Sequence, residues 1–297
     1  MMEIGFHTDA FNSVYWNFEQ CLEWAQQHGV HWIECHSLDG VSGLHGLGYH
    51  PHIALWEDPI QLRTKMDQYD VAFSQLDAAF PLLSPEGGSI GLEYVLHTIR
   101  WAKLVGCPRV DTTDGHEKPS GMSDRESLQS LRRIYERILR IAELHQITIN
   151  IEPHGNYTTN ADLLEEILSF SNSPLLKVNM DVGNTFIAGL DPVAFTKRFL
   201  DRTSHVHLKD VSPSLVAEAR GQLLGVAGSH CAIGEGVNAE NVRKCVQLLA
   251  EHGYEGILSI ECEAHGGPLL ERSVEWVRNL LAEIRIARDT SSFVSRQ

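Results

Sequence analysis

The chain has 297 residues, 43% hydrophobic and 21% charged, with 39 acidic against 24 basic side chains and a formal net charge of −15. That composition supports one packed soluble core, and so acidic a surface repels phosphate backbones, which excludes nucleic acid as an expected partner. No apolar run reaches membrane-spanning length and no basic-then-apolar leader opens the sequence, so no membrane partner and a cytoplasmic location are expected.

The first strand-like run is "EIGFH" (3–7), and 17–28 follows with Phe18, Cys21, Leu22 and Ala25 on one helical stripe. "HWIECH" (31–36) is the next strand. Residues 37–57 form a Gly- and His-rich loop too irregular for either period; it carries His45, His50, His52 and Trp56, with His36 at its edge. A helix over about 58–69 precedes the strand "VAFSQL" (71–76). After "SPEGGS", 90–105 is helical and Gly106 stops it. "PRVDTT" (108–113) is a short strand, and Ser123 with Glu126 forms a capping box that opens a long helix. "ITINIE" (147–152), "KVNMD" (177–181), "SHVHLK" (204–209) and "ILSIEC" (257–262) are four more strands, with helices over about 160–170, 191–200, 239–252 and 269–287.

Eight strand–helix units in alternation predict an α/β fold with a parallel sheet, a single-domain (β/α)8 TIM barrel over 1–287. The tail 288–297, "RDTSSFVSRQ", lacks periodicity. A doubly wound open sheet is the alternative, weakened by the lack of a Gly-rich phosphate loop after the first strand. The six cysteines are scattered without a CxxC pair and read as small, buried and reduced. Trp16, Trp32 and Trp101 read as core or interface residues.

Barrel sites form where strands end. In the second half those ends read "NIEPHG", "NMDVGN", "HVHLKD" and "SIECEAHG", delivering Glu152, Asp181, His207 and Glu261 to one rim. Three converging carboxylates repel one another unless a cation joins them. Three oxygens and one imidazole suit one divalent ion, with Mn2+ expected first and Mg2+, Co2+ or Zn2+ as alternatives. His205, deeper in its strand, reads as a core histidine, and Glu263 is the rival of Glu261 for the fourth position.

The run "IEP…MDVGN…HVHLKD…IECE" resembles the sugar phosphate isomerase/epimerase superfamily, whose barrels are similar to xylose isomerase and whose members include ketose 3-epimerases, inosose dehydratases, hydroxypyruvate isomerases and endonuclease IV. The resemblance runs from "EIGFH" to the last helix and implies one divalent metal on the same four residues. It also implies a possible homo-oligomer. The "GEG" at 234–236 resembles a loop of the family. Two positions depart from the epimerases: Asn184 stands where they carry histidine, and Pro213 where they carry arginine. His7, His154, Asn184, Lys209 and His230 are the candidate substrate contacts, the last within a long insertion over 212–236.

The expected chemistry is a sugar isomerisation or epimerisation on a keto-sugar or related polyol through a metal-stabilised enediolate, with Glu152 and Glu261 as acid and base. The alternative is a lyase, inosose dehydratase-like or keto-glycoside-cleaving, using the same intermediate. Few basic residues near the quartet favour an unphosphorylated substrate. Loop 37–57 is either a lid or a decorated surface loop, and nothing in its spacing indicates a second metal. A DNA-repair role would require a basic face that the net charge opposes.

Overall fold

A computed structural model describes residues 1–14, 16–39, 51–116, 119–221, 228–262 and 266–294. In chain order its elements are β1 (Glu3–His7), α1 (Phe18–His28), β2 (Trp32–Leu38), β3 (Ile53–Ala54), α2 (Pro59–Gln68), β4 (Ala72–Pro81), α3 (Leu92–Val105), β5 (Arg109–Thr113), α4 (Asp124–His145) and β6 (Thr148–Ile151). There follow α5 (Ala161–Leu168), β7 (Leu176–Asp181), α6 (Val182–Ile187), α7 (Pro192–Phe199), β8 (Thr203–Leu208), α8 (Pro213–Ala219), α9 (Ala239–His252), β9 (Ile257–Ile260) and α10 (Gly267–Val294).

Eight strands pair in parallel in the order β1-β2-β4-β5-β6-β7-β8-β9, and β9 returns to β1, so the sheet closes into a barrel. The short β3 pairs with the end of β2, outside the closed ring. The helices start and stop as their termini dictate. Asn17 with Gln20 and Ser123 with Glu126 close reciprocal capping boxes at α1 and α4. Gly29 and Gly106 end α1 and α3 in the left-handed conformation.

Each barrel strand alternates. One phase is apolar and packs against the helices: Phe6, Ile33, Leu76, Val110, Ile149, Val178, Val206 and Leu258 are buried in that layer. The other phase fills the barrel's interior and is polar, with Glu34, Gln75, Asp111, Asn150, Asn179, His205 and Ser259 all buried. Bonds cross the interior: His205 Nε2 on β8 meets Ser74 Oγ on β4 at 3.2 Å. Barrel interiors are more often packed with branched apolar side chains.

Four features differ from the sequence expectation. A 3-10 segment, Thr8–Val14, fills the first βα connection. The two-residue β3 is too short to show a period. Helix α6 begins directly on β7 because Asp181 caps it, accepting from the amides of Gly183 and Asn184. The last helix continues to Val294, through most of the segment expected as a tail. Among the described residues no helix is long and apolar enough to cross a membrane.

Candidate functional site

Register builds the site. Asp181 on β7 lies directly beside His207 on β8, and His207 beside Ser259 on β9. On the other side, His7 pairs with Glu34, His36 with Asp77, and Asp77 with Asp111. The register shifts between Ile33 and Glu34, where Ser74 is the extra residue on β4, and between Val178 and Asn179, where Ser204 is the extra residue on β8.

Glu152, Asp181, His207 and Glu261 are all buried, and one ligating atom from each lies within 4.8 Å of the others. His207 Nδ1 is 3.1 Å from Glu152 Oε1, 3.1 Å from Glu261 Oε2 and 3.7 Å from Asp181 Oδ2. Asp181 Oδ1 is committed to the amides of Gly183 and Asn184, at 2.6 and 2.7 Å, while its buried Oδ2 accepts no hydrogen bond. An unsatisfied carboxylate oxygen beside two further carboxylates and an imidazole is the donor set of a divalent cation. The residues therefore fit the ion that the sequence implied.

The groups around the quartet hold it in place. Glu34 Oε2 takes a hydrogen bond from His207 Nε2 at 2.8 Å, which turns Nδ1 toward the three carboxylates. Ser259 Oγ donates to the same oxygen at 2.8 Å and Gln75 Nε2 to Oε1 at 2.7 Å. Asn184 Nδ2 donates to Glu152 Oε1 at 2.8 Å, and His154 Nδ1 lies 2.9 Å from Glu152 Oε2. Lys209 Nζ is buried, 3.1 Å from Glu261 Oε2 and 3.1 Å from Asn184 Oδ1. Gly183 makes room for it: a Cβ there would stand 2.4 Å from that of Lys209.

Burial opposes charge throughout, and pairing decides each case. Burial alone would lower His207, yet Glu34 and Glu261 raise it well above the ordinary histidine value. Burial would raise Glu152, but His154 and His207 hold it well below the carboxylate range. Burial works against the His154 cation too, and Glu152 raises it to about 8. His205 falls to about 3, mainly through burial, and its bond to Asn179 Oδ1 at 3.0 Å marks a neutral core histidine. Asp111 is pushed well up by burial, then by Glu152 and Asp77.

Of the expected substrate contacts, His154, Asn184 and Lys209 surround the quartet. His7 is buried on the same rim, its ring centroid 6.1 Å from that of His207. His230 is exposed in a left-handed turn (φ 45°), outside the buried cluster. Glu263, His45 and His50 lie outside the described residues. Of the tryptophans, Trp101 is buried in the core, Trp16 stacks on Phe11 and Trp32 donates to Glu3. All six cysteines are buried thiols. The residues that the sequence did not single out are Glu34, Asp77, Asp111 and Asp9. The first two stand two positions from a neighbouring polar residue on the same strand face, a period-two signal present in "ECH" and "QLD".

The family model of the xylose isomerase-like TIM barrel matches residues 22–280. The chain belongs to that family. This xylose isomerase-like barrel is similar to an inosose dehydratase of Clostridium botulinum (strain Eklund 17B / Type B), 32% identical over 115 residues that make up 37% of this chain and 38% of the relative. The match thus spans under half the length of that curated relative. Among solved structures, a D-tagatose 3-epimerase-like protein superposes with a TM-score of 0.76 at 20% identity, covering 96% of this chain and 99% of the other. The IOLI protein, solved with a binding zinc atom, gives 0.71 at 14% identity over 95% and 98% of the two chains. Both structural likenesses concern the fold.

Proposed function

We propose that the protein is a divalent-metal-dependent carbohydrate lyase, which removes a proton beside the carbonyl of a keto-sugar or keto-polyol and expels a β-hydroxyl as water. Lys209 carries this choice: a buried ammonium shares one rim with the four carboxylate and imidazole donors, 3.1 Å from Glu261 Oε2. Elimination needs a base for the C–H proton and an acid for the departing oxygen. Glu152, kept ionised by His154 and His207, is the base. Lys209 is the acid: as the C–O bond breaks and the C=C bond forms, it gives its proton to the hydroxyl, which leaves as water. Glu152, Asp181, His207 and Glu261 would hold the ion, manganese before magnesium, cobalt or zinc. When bound, such an ion supplies Lewis-acid polarisation of the substrate carbonyl.

Asn184 and Pro213, in place of the histidine and arginine of the epimerases, further favour a lyase. So does the similarity to a relative named inosose dehydratase. This inverts the order of the two sequence-based readings. Isomerisation or epimerisation stays as the second reading on one observation: Glu152 Oε1 and Glu261 Oε2 each lie 3.1 Å from His207 Nδ1, so two carboxylates flank one point. Proton NMR of keto-polyols and keto-sugars incubated with the Mn2+-loaded protein in D2O separates the two. A dehydrated enone or diketone supports the lyase. A deuterated epimer or isomer of unchanged skeleton supports the second reading, and no turnover, with Glu152→Gln indistinguishable from wild type, removes both.

A further inference from the structure

Outside the quartet, the β1–β2 side of the rim carries a second buried cluster. Asp9 follows β1, His36 lies on β2 and His52 immediately precedes β3; one ligating atom from each lies within 4.8 Å of the others. Asp9 Oδ2 is 3.3 Å from His36 Nε2, and Asp9 Oδ1 is 3.2 Å from His52 Nε2. The outer nitrogen of each ring is anchored separately. His36 Nδ1 meets Asp77 Oδ2 at 2.6 Å, and His52 Nδ1 meets the Thr8 hydroxyl at 3.0 Å. Asn12 Nδ2 donates to Asp9 Oδ1 at 2.9 Å and fixes that carboxylate.

Imidazoles that ligate metals are held in this way, with the outer nitrogen bonded to a carboxylate or other polar group and the inner one aimed at the ion. Ligand bonds of about 2.0–2.1 Å in a tetrahedral shell set neighbouring donors roughly 3.3 Å apart, close to the 3.3 Å from Asp9 Oδ2 to His36 Nε2. We propose that Asp9, His36 and His52 form a second divalent-cation site, for an ion of the Zn2+ or Fe2+ class, separate from the quartet. Two imidazoles and one carboxylate suit such borderline ions better than Mg2+ or Ca2+. Three protein ligands leave a coordination position for water or a substrate oxygen. His7 stands between the two clusters, its ring centroid 4.9 Å from that of His36 and 6.1 Å from that of His207. A polyol lying across this rim would meet both ions.

The test is metal content, independent of turnover. Chelator-stripped wild-type protein is titrated with Co2+, and Co2+-soaked wild-type crystals are measured at the cobalt absorption edge. Two equivalents and two anomalous peaks, one among Asp9, His36 and His52, are expected. Asp9→Asn and His52→Gln should each bind one equivalent, and Asp181→Asn should keep the new peak. A single peak at the quartet in wild type overturns the proposal whatever the variants do, as do two equivalents surviving in either Asp9→Asn or His52→Gln. Should a variant not fold, the wild-type peaks decide.

Discussion

Glu34 is a buried carboxylate in the middle of the barrel, and its partners explain why the fold tolerates it. Burial alone would raise its pKa, but His207, His205 and His7 draw it far below the carboxylate range. Its bond to His207 Nε2 selects Nδ1 as the nitrogen facing the quartet. Glu34→Gln keeps the shape but loses the charge that orients the ring, so Mn2+ affinity should fall about 10–100-fold. Isothermal titration checks it, and unchanged affinity would remove Glu34 from this role. A second residue-scale effect concerns His154 in the metal-free protein. Its pKa is raised to about 8 by Glu152, against about 6.5 unfolded. Its charged form therefore stabilises the fold fully below about pH 6.5, and that contribution is lost as pH rises through about 8, on the order of 1–2 kcal/mol. Urea unfolding at pH 6 and pH 9 should show this loss in wild type and not in His154→Asn.

At the scale of elements, the strands were legible because apolar and polar residues alternate, and the ends of β6, β7, β8 and β9 because each of those runs stops in or next to an acid or imidazole. Glu152, Asp181, His207 and Glu261 each follow a polar residue two positions earlier: Asn150, Asn179, His205 and Ser259. The same doublet, Glu34/His36 and Gln75/Asp77, marks β2 and β4 as rim-forming strands. What sequence could not give is register, since nothing local says that His36 lies beside Asp77 or that His52 folds back onto Asp9. The "GEG" turn is another case, because its anchor is remote in sequence. Asp210, just past β8, accepts from the amides of Gly234, Gly236 and Asn238, each at 2.9 Å, and from Val211 at 2.8 Å. Gly236 is required there, as a Cβ would stand 2.3 Å from Asp210 Oδ1. Asp210→Asn weakens several bonds to a charged acceptor at once, so a loss of roughly 2–3 kcal/mol is expected in urea unfolding. Faster amide exchange confined to 234–238 should accompany it; exchange unchanged there would sink the clamp.

Across the whole molecule, the polar interior couples cation binding to stability. The barrel closes around acids and imidazoles rather than branched apolar side chains, so part of what holds its strands together is electrostatic. Without a cation, the three carboxylates of the quartet face one another with the His207 proton and the Lys209 ammonium between them. An ion that binds only the folded barrel stabilises it by about 2.7 kcal/mol at a hundredfold excess over its dissociation constant. The entropy of unfolding a chain of this size converts that to a rise in Tm of about 4 °C. Calorimetry of the chelated and Mn2+-loaded protein should show the shift, and Asp181→Asn should abolish it, because that change removes one of the two quartet oxygens, Asp181 Oδ2 and Glu261 Oε2, that are buried without a hydrogen bond. The Asn variant also takes a charge out of the metal-free cluster, so its chelated form should melt no lower than chelated wild type unless the cap on α6 is lost with it. Equal melting of wild type with and without Mn2+ would mean that these four side chains hold no ion.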